Sequence, residues 1–347
     1  MNKKFKVSIR CDSERLFGLG HVSRCISIAN ELIKLNCECF FYIKAPSNVK
    51  KYIQSLGHTV FSVPSTVHEE KIISFKKKTY DLIIIDTKII NKHVISSYKK
   101  FGPVVYIDDN ISNNLNCDMI INNNIWIKKN KYSYKNETRH LLGPKYNTVS
   151  PDYFKINHKN RLGLLISMGG EDEHDNTSWI INRFENFLNE FDVNICIGPL
   201  YSNADNILNL AKKKLKSYKI FYSPNNLIEP MKLSKFAIVS GGTTCYELAA
   251  ARIVMGIIID DENQIKIHDN FCKKKLGLSI GMHNERDDNS LKKLFKSFQN
   301  KKLIDQIIQN QMKYFPRSGV LILAKKLENF ILSKKYEKGE INKCILV

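Results

Sequence analysis

A loop containing Gly18, Gly20 and His21 lies between an apolar run, residues 5–9, and an amphipathic run, residues 22–35. This order of strand, glycine loop and helix is typical of α/β nucleotide sites. Glycine lets the backbone approach a ligand closely, and the free N–H groups at a helix start attract an anion. His21 opens the predicted helix and adds a group that can accept a proton near neutral pH. We therefore predict that this loop contacts a ligand and takes part in its chemistry.

A second glycine loop, Gly241-Gly242-Thr243-Thr244, follows the apolar run 237–240 and precedes a predicted helix. Backbone N–H groups and threonine hydroxyls at a helix start are suitable donors for a diphosphate. Glu247, one turn into the helix, could accept hydrogen bonds from a ribose diol, as acidic residues do in nucleotide sites. The alternative for Glu247 is a first-turn carboxylate that only stabilises the helix.

Acidic residues follow two of the predicted strands. Asp86 ends the apolar run 82–86, and Asp109 follows the run 104–107. Because the carboxyl ends of parallel strands form the ligand crevice of such sheets, Asp86 is expected near the His21 loop. Turn and helix-cap chemistry is the alternative for each of these side chains.

Apolar strands alternate with helical patterns twice along the chain, which indicates parallel sheets with both faces covered. The pattern restarts at residues 162–167, a strand followed by Gly169 and Gly170. We expect residues 71–78 to be helical and residues 126–148 to connect the two halves without strands. The predicted fold class is α/β, with two such units and a ligand cleft between them.

The formal net charge of +20 raises the question of a polyanionic partner. Nucleic-acid binding needs clustered Lys and Arg, whereas the excess here is mostly lysine spread along the chain. We therefore expect no nucleic-acid partner, and at most a weak association with an anionic membrane surface. No apolar run approaches the ~20 residues of a membrane span, and the N-terminus has no signal-peptide core, so we expect a cytoplasmic protein.

Four motifs in this order resemble the nucleotide-sugar hydrolases of pseudaminic acid biosynthesis (the PseG/SpsG family) and, more distantly, the MurG-type glycosyltransferases. They are Gly18-x-Gly20-His21-x-x-Arg24, Gly169-Gly170-x-Asp172, Gly241-Gly242-Thr243-Thr244-x-x-Glu247-Leu248 and Asn263-Gln264. The resemblance spans residues 5–335 and implies the GT-B fold, in which two Rossmann-like domains face each other across a cleft. The implied divisions are an N-terminal domain 1–155, a nucleotide-binding domain 156–315, a terminal helix 316–335 that packs on the first domain, and a basic tail 336–347.

Members of this family remove UDP from UDP-2,4-diacetamido-2,4,6-trideoxy-β-L-altropyranose, breaking the sugar C–O bond with inversion and using no metal or other cofactor. The resemblance therefore implies a UDP-sugar substrate, His21 as the group that activates or orients water, and Asn263 as a second catalytic residue that contacts the sugar or the diphosphate. The residues assigned to the sugar side are Gly18, Gly20, Arg24, Asp86, Lys88, Asp109 and Tyr146. Those assigned to the nucleotide are Gly169, Gly170, Gly241, Gly242, Thr243, Thr244, Glu247 and Gln264.

Two positions depart from the family pattern. Glu171 replaces the usual small residue of Gly-Gly-x-Asp and adds a negative charge near the expected nucleotide. The family usually has Asp-x-Tyr at the end of the fourth strand, where this chain has Asp86-Thr87-Lys88. Lys88 supplies a point charge that can bind a diphosphate or a sugar carboxylate, in place of a neutral hydroxyl. Two alternatives remain open: a GT-B glycosyltransferase, in which an acceptor hydroxyl replaces water, and a non-catalytic basic protein that binds a nucleotide or a nucleic acid.

Overall fold

The computed structural model describes residues 4–12, 20–64, 66–73, 78–87, 90–112, 115–128, 131–132, 138–157, 161–317 and 319–339. The chain divides into two compact units, which we call the first unit (residues 1–148 and 318–347) and the second unit (residues 149–317). The first unit is therefore assembled from two separate parts of the chain.

A seven-stranded parallel sheet with the order β3-β2-β1-β4-β5-β6-β7 forms the centre of the first unit. The strands are β1 (Phe5–Asp12), β2 (Cys37–Lys44), β3 (Thr59–Ser62), β4 (Leu82–Asp86), β5 (Val104–Ile107), β6 (Met119–Asn122) and β7 (Arg139–Leu142). The described α-helices of this unit are α1 (Gly20–Lys34), α2 (Ser47–Ser55), α3 (Lys92–Lys99) and α12 (Gly319–Glu337).

Helices α1 and α12 contribute to the same side of this sheet. Ala29 and Leu32 of α1 join Leu323, Leu327 and Phe330 of α12 in one buried apolar cluster with β1, β2 and β4. The apolar side chains of α1 recur at helical spacing, which gives it one face to bury. The opposite face of the sheet is covered by α3 and its neighbours.

The second unit contains a six-stranded parallel sheet with the order β10-β9-β8-β11-β12-β13. Its strands are β8 (Gly163–Ser167), β9 (Val193–Ile197), β10 (Tyr218–Tyr222), β11 (Ser234–Ser240), β12 (Val254–Ile259) and β13 (Leu278–Met282). Its α-helices are α4 (Pro151–Phe154), α5 (Asn176–Leu188), α6 (Ala204–Lys214), α7 (Ile228–Leu233), α8 (Thr244–Ala250), α9 (Ile265–Lys273), α10 (Asp288–Gln299) and α11 (Lys301–Tyr314). Helix α4, which the predicted division assigned to the first domain, contacts α8 in this unit.

In both sheets the order of the strands reverses beside the first strand. The reversal falls between β1 and β4 in the first unit and between β8 and β11 in the second unit. Ligands of doubly wound sheets bind at the carboxyl ends of the strands at this point, because the following loops diverge there and leave a crevice. The two predicted glycine loops follow β1 and β11, and Asp86 ends β4.

One sequence-based prediction of an element is wrong. Residues 126–148 contain β7, an edge strand with only one of its four residues buried, so it lacks the apolar run of the central strands. Of the predicted helix 71–78, residues 74–77 lie outside the described part, and the described residues Lys71 and Ile73 have 3-10 conformation. Among the described helices, none combines the length and apolarity needed to cross a membrane.

Candidate active site

Asp86 is the centre of a polar network at the carboxyl edge of the first sheet. Its side chain is buried at the end of β4, and its Oδ1 lies 2.7 Å from Nδ1 of His21. Arg24 donates from Nε to Oδ2 of Asp86 at 2.6 Å and also donates from Nη2 to Oδ1. Burial by itself raises the pKa of Asp86, but the charges and hydrogen bonds of Arg24 and His21 outweigh it and hold the pKa well below its usual range.

Arg24 joins this carboxylate to a second one. Its guanidinium donates from Nη1 to Oδ1 of Asp109 at 3.1 Å, and its Nη2 lies 2.8 Å from Oδ2 of the same residue. Asn124, at the end of β6, donates from Nδ2 to Oδ1 of Asp109 at 3.3 Å. Three consecutive strand ends therefore supply acceptor or donor groups to one helix, because α1 begins next to them.

The position of His21 fixes what its imidazole can do. Its Nδ1 lies between Asp86 and Nη2 of Arg24, which is 3.0 Å away. Arginine only donates, and Asp86 is ionised, so we assign the Nδ1 proton to the hydrogen bond with Asp86. The other nitrogen, Nε2, then carries the lone pair, and the side chain is 21% exposed. This arrangement suits a general base.

Four of the residues predicted on the sugar side come together here or next to it, namely Gly20, Arg24, Asp86 and Asp109, together with the predicted catalytic residue His21. Gly20 is the first residue of α1. Tyr146 instead is buried in the apolar core beside α12. Gly18 and Lys88 lie outside the described residues. Asn124 was not predicted as a site residue, although its position at a polar strand end is the same signal that identified Asp86.

The second glycine loop is held by hydrogen bonds of its own backbone. The amide of Gly241 donates to Ile258 O at 3.0 Å and to Oε1 of Gln264 at 2.8 Å, and that of Gly242 donates to Ser240 O at 2.8 Å. The backbone approach favours glycine at position 241, because an added Cβ would lie 2.9 Å from Cβ of Gln264. The N–H groups of Gly241 and Gly242 are thus already used within the loop, whereas the sequence analysis predicted that the backbone N–H groups of this loop bind a diphosphate together with the threonine hydroxyls.

Thr243 and Thr244 are the remaining donors of this loop. They are the N-cap and first residue of α8, and no backbone acceptor for their N–H groups occurs among the described hydrogen bonds. Glu247 follows in the first turn of the same helix. Burial raises the pKa of Glu247 to about 7, and a hydrogen bond with Tyr153 opposes that rise.

The other residues predicted to contact the nucleotide have structural partners. Gly169 adopts φ +82°, a left-handed conformation that favours glycine, in the turn after β8, and Gly170 follows it. Oε1 of Gln264 also accepts from the amide of Asp260 at 3.0 Å, so Gln264 ties the end of β12 to the glycine loop. Asn263, which the resemblance assigned as the second catalytic residue, is exposed and donates from Nδ2 to Oδ1 of Asp261 at 2.8 Å.

A cluster of His174, Asp260 and His283 at the same edge of the second sheet was missed by the sequence analysis. The only signal was the polar end of β12, which includes Asp260. His283 follows β13, a strand that the sequence analysis did not predict. Gly281 in that strand has φ +105°, and the pairing of β13 with β12 shifts register nearby, so the strand lacks a regular alternating pattern.

A cavity of about 770 Å³ lies at the opposite edge of the first sheet, beside the starts of β1, β4 and β5. Its lining includes the lysines Lys4, Lys6, Lys99, Lys100, Lys334, Lys335 and Lys338. Asp81 and Asp118 offset part of this charge by pairing with Lys335 at 2.8 Å and Lys99 at 3.5 Å. Because the His21 network lies at the carboxyl ends of the strands, this basic cavity is a separate feature of the first unit.

No protein-family profile matches the chain. The chain is 28% identical over 285 residues to an uncharacterized protein of Methanocaldococcus jannaschii, covering 78% of this chain and 58% of that protein. It is 24% identical over 306 residues to the pseudaminic acid cytidylyltransferase and UDP-2,4-diacetamido-2,4,6-trideoxy-β-L-altropyranose hydrolase of Helicobacter pylori, covering 86% of this chain and 51% of that protein. A hydrolase of the same name from Campylobacter jejuni is 24% identical over 176 residues, which are 48% of this chain and 61% of that protein. The chain thus spans a little more than half the length of these relatives.

Solved structures share the architecture at low sequence identity. Acinetobacter baumannii MurG has a TM-score of 0.61 and 11% identity, with 92% of this chain and 98% of that chain covered. The calicheamicin glycosyltransferase CalG4 has a TM-score of 0.64 and 10% identity, with 95% of this chain and 99% of that chain covered. Anabaena HepE, solved in complex with UDP-glucose, has a TM-score of 0.58 and 10% identity, with 93% of this chain and 99% of that chain covered. The chain therefore has the α/β GT-B fold, and its distant sequence relatives support the resemblance to the PseG/SpsG hydrolases that its motifs indicated.

Proposed function

We propose that the protein hydrolyses a UDP-activated diacetamido-trideoxy sugar to the free sugar and UDP. The observation that carries this proposal is the pair of His21 and Asp86, in which Nδ1 is bound to an ionised carboxylate and Nε2 is left to accept a proton. The names of the Helicobacter pylori and Campylobacter jejuni relatives add the substrate class.

In the proposed reaction, water attacks the anomeric carbon while Nε2 of His21 takes its proton. The bond between the anomeric carbon and the diphosphate oxygen breaks, its electron pair stays with that oxygen, and UDP leaves from the face opposite the water. The anomeric centre is thereby inverted. Asp86 stabilises the imidazolium that forms, and Arg24 keeps Asp86 ionised.

The second unit holds the nucleotide in this proposal. Thr243 and Thr244 donate from their N–H groups and hydroxyls to the diphosphate, at the positive end of α8. These donors stabilise the charge that develops on the leaving UDP. Glu247 accepts hydrogen bonds from the ribose diol when its carboxyl group is ionised.

The direct test is incubation of the purified chain with UDP-2,4-diacetamido-2,4,6-trideoxy-β-L-altropyranose in ¹⁸O-labelled water. We expect free UDP to be released and the label to enter the sugar. Label in UDP would place the attack at phosphorus and contradict the proposed mechanism.

The His21→Ala variant tests the proposed base. We expect its turnover to fall by about 10²- to 10⁴-fold, the usual contribution of general acid–base catalysis, with UDP affinity unchanged. The matched control is His93→Ala, which removes an exposed imidazole of α3. Unchanged turnover in His21→Ala would exclude His21 as the base.

A second candidate is a glycosyltransferase that uses the same residues on an acceptor hydroxyl. It is favoured by the fold, since MurG and CalG4 have the same architecture. The two candidates differ in one measurement. A transferase would release UDP slowly in water, and an added alcohol acceptor would accelerate UDP release and yield a glycoside. With a hydrolase, the acceptor would neither accelerate UDP release nor give a glycoside.

A further inference from the structure

Three side chains that the proposed reaction does not use meet at the carboxyl edge of the second sheet. His174 lies in the loop between β8 and α5, Asp260 directly follows β12, and His283 directly follows β13. One potential ligand atom of each lies within 4.8 Å of those of the other two. We propose that these residues bind a transition-metal ion, with Zn²⁺ the best match. This property goes beyond the proposed hydrolysis, which needs no metal.

The donor set selects the class of ion. Two imidazoles and one carboxylate are a combination that Zn²⁺ accepts in tetrahedral sites, with the fourth position left for water or another ligand. Mg²⁺ and Ca²⁺ prefer oxygen ligands, and a set with two nitrogens and one carboxylate gives them too few. The cluster therefore favours Zn²⁺ and its chemical neighbours Co²⁺ and Ni²⁺.

One of the three distances between potential ligand atoms matches that of a formed site. Bonds of about 2.0–2.1 Å to a tetrahedral Zn²⁺ place neighbouring ligand atoms roughly 3.3 Å apart. Nδ1 of His174 already lies 3.0 Å from Oδ1 of Asp260. The rings of His174 and His283 are stacked, with centroids 3.4 Å apart and 22° between their planes. Because the lone pair of a ring nitrogen lies in the ring plane, both imidazoles can bind one ion only if the rings rotate about their side-chain bonds out of this stack.

His283 gives an independent indication of a ligand. Its Nδ1 is buried and has no hydrogen-bond partner within the described part of the chain. A buried polar atom without a partner costs free energy, and proteins usually satisfy such groups. A metal ion in the cluster would supply this imidazole with a partner that no neighbouring side chain provides.

The residues around the cluster hold two of the three ligands in place. Asn176 donates from Nδ2 to Oδ1 of Asp260 at 2.8 Å. Arg286 donates from Nη1 to the carbonyl oxygen of His174 at 3.1 Å and to Oδ1 of Asn176, while its guanidinium packs over Trp179. Such outer partners orient metal ligands. The charge of Arg286 opposes a cation, so we expect weaker binding than in a closed structural zinc site.

The cluster is also joined to the second glycine loop. Oε1 of Gln264 accepts from the amide of Asp260 at 3.0 Å and from the amide of Gly241 at 2.8 Å. A metal ion that orders Asp260 would therefore also order the loop that we propose to bind the diphosphate.

Metal binding is tested on the full, metal-stripped chain without any nucleotide, so the result is independent of the proposed hydrolysis. Co²⁺ is titrated first, and we expect one equivalent to bind with visible d–d bands that Zn²⁺ then removes. We expect no thiolate charge-transfer band, because none of the cysteines in the described part of the chain belongs to the cluster. Failure of the chain to bind one equivalent of either ion would overturn the proposal.

Variants identify the ligands. We expect His174→Gln and His283→Gln each to weaken Zn²⁺ binding at least about tenfold, while His93→Gln, a change at an exposed histidine of α3, leaves it unchanged. Melting in the presence of a chelator shows whether each variant is folded, and Asp260→Asn replaces any variant that is not. Binding by the folded His174→Gln/His283→Gln double variant as tight as that of the unchanged chain would also overturn the proposal.

Discussion

At the scale of single residues, Asp86 determines how the candidate site works. It is a buried carboxylate that stays ionised because Arg24 and His21 face it. Without them, burial would favour the protonated form, which cannot fix the imidazole of His21. Because its pKa is lowered on folding, Asp86 stabilises the folded state above the ordinary carboxyl pKa, and this contribution is lost as the pH falls.

Asp86→Asn should separate this role from nucleotide binding. The amide leaves Arg24 with less compensating charge, and its single neutral oxygen cannot accept from both His21 and Arg24 as the two carboxylate oxygens do. We expect turnover to fall by about 10²- to 10⁴-fold, UDP affinity to stay the same, and the free energy of unfolding to drop by about 3–5 kcal/mol. Steady-state kinetics and thermal melting check this, with the exposed Asp305→Asn as control. An Asp86→Asn protein with full turnover would remove Asp86 from the mechanism.

Glu247 should make nucleotide affinity depend on pH. Its pKa is raised to about 7, so the carboxyl group is largely protonated below that value and cannot accept from both ribose hydroxyls. We expect UDP affinity to increase by up to about tenfold between pH 6 and pH 8, as measured by calorimetry. Glu247→Gln should abolish this dependence, and Glu229→Gln, a change at an exposed carboxylate of the same unit, should preserve it. The same pKa shift implies that Glu247 favours the folded state below the ordinary value of 4.5, and that this contribution is lost as the pH rises to about 7.

The sequence predicted part of this residue-scale picture. The carboxyl ends of parallel strands meet at the same edge of a sheet, and this rule was enough to expect Asp86 beside His21. In the structure, Oδ1 of Asp86 lies 2.7 Å from Nδ1 of His21. The same reasoning could not predict that Arg24 would bridge Asp86 and Asp109, because a long side chain on a helix surface has many possible partners. Nor could it predict that Gln264 would occupy the amide of Gly241, since that contact depends on how two loops pack.

At the scale of elements, the β11–α8 loop depends on the close approach of Gly241 to Gln264. Gly241→Ala would place a Cβ 2.9 Å from Cβ of Gln264, so the loop or the glutamine must move. We expect a loss of about 1–3 kcal/mol in the free energy of unfolding, measured by chemical denaturation. Gly242→Ala is the matched control, because its added Cβ would have no atom within 4 Å, and we expect a change within about 0.5 kcal/mol. Equal losses of unfolding free energy in the two variants would show that the close approach of Gly241 to Gln264 does not determine the stability of the loop.

Helix α12 should be needed for the stability of the first unit and not for that of the second unit. Leu327 is fully buried against the core of the first unit, whereas Leu321 of the same helix is 43% exposed. We expect Leu327→Ala to cost about 2–5 kcal/mol and Leu321→Ala to be nearly neutral. Hydrogen exchange should accelerate in β1 and β2 of the Leu327→Ala protein and stay unchanged in β8 and β11. Faster exchange in the second unit would contradict this assignment of the helix.

The elements that the sequence predicted well are those with an apolar run. Strands such as β4, with all five residues buried, appear as uninterrupted apolar runs. The strands that it missed are the edge strands β7 and β13, in which Arg139 and His140 or Gly281 interrupt the apolar pattern, whereas the edge strands β3 and β10 keep apolar and aromatic residues and were predicted. Missing β13 also concealed His283, and with it the proposed metal site.

At the scale of the whole molecule, the two units repeat one design. Each has a parallel sheet whose order reverses beside its first strand, and each has a glycine at the helix start or turn that follows. The first unit has carboxylates and an imidazole at that point, whereas the second has threonine donors and a carboxylate with a raised pKa. In the proposed reaction the first unit supplies the base and the second unit binds the nucleotide. These different roles follow from the difference in side chains rather than from a difference in fold.

The return of α12 to the first unit has a consequence for synthesis on the ribosome. The strands of the first sheet are made first, but the apolar face that α12 covers stays open until residues 319–337 have been added. The second unit is continuous in the chain and can fold as soon as residue 317 has emerged. Of the two units, the one whose strands are made first is therefore the last to be completed, and one apolar face of its sheet stays uncovered during that interval.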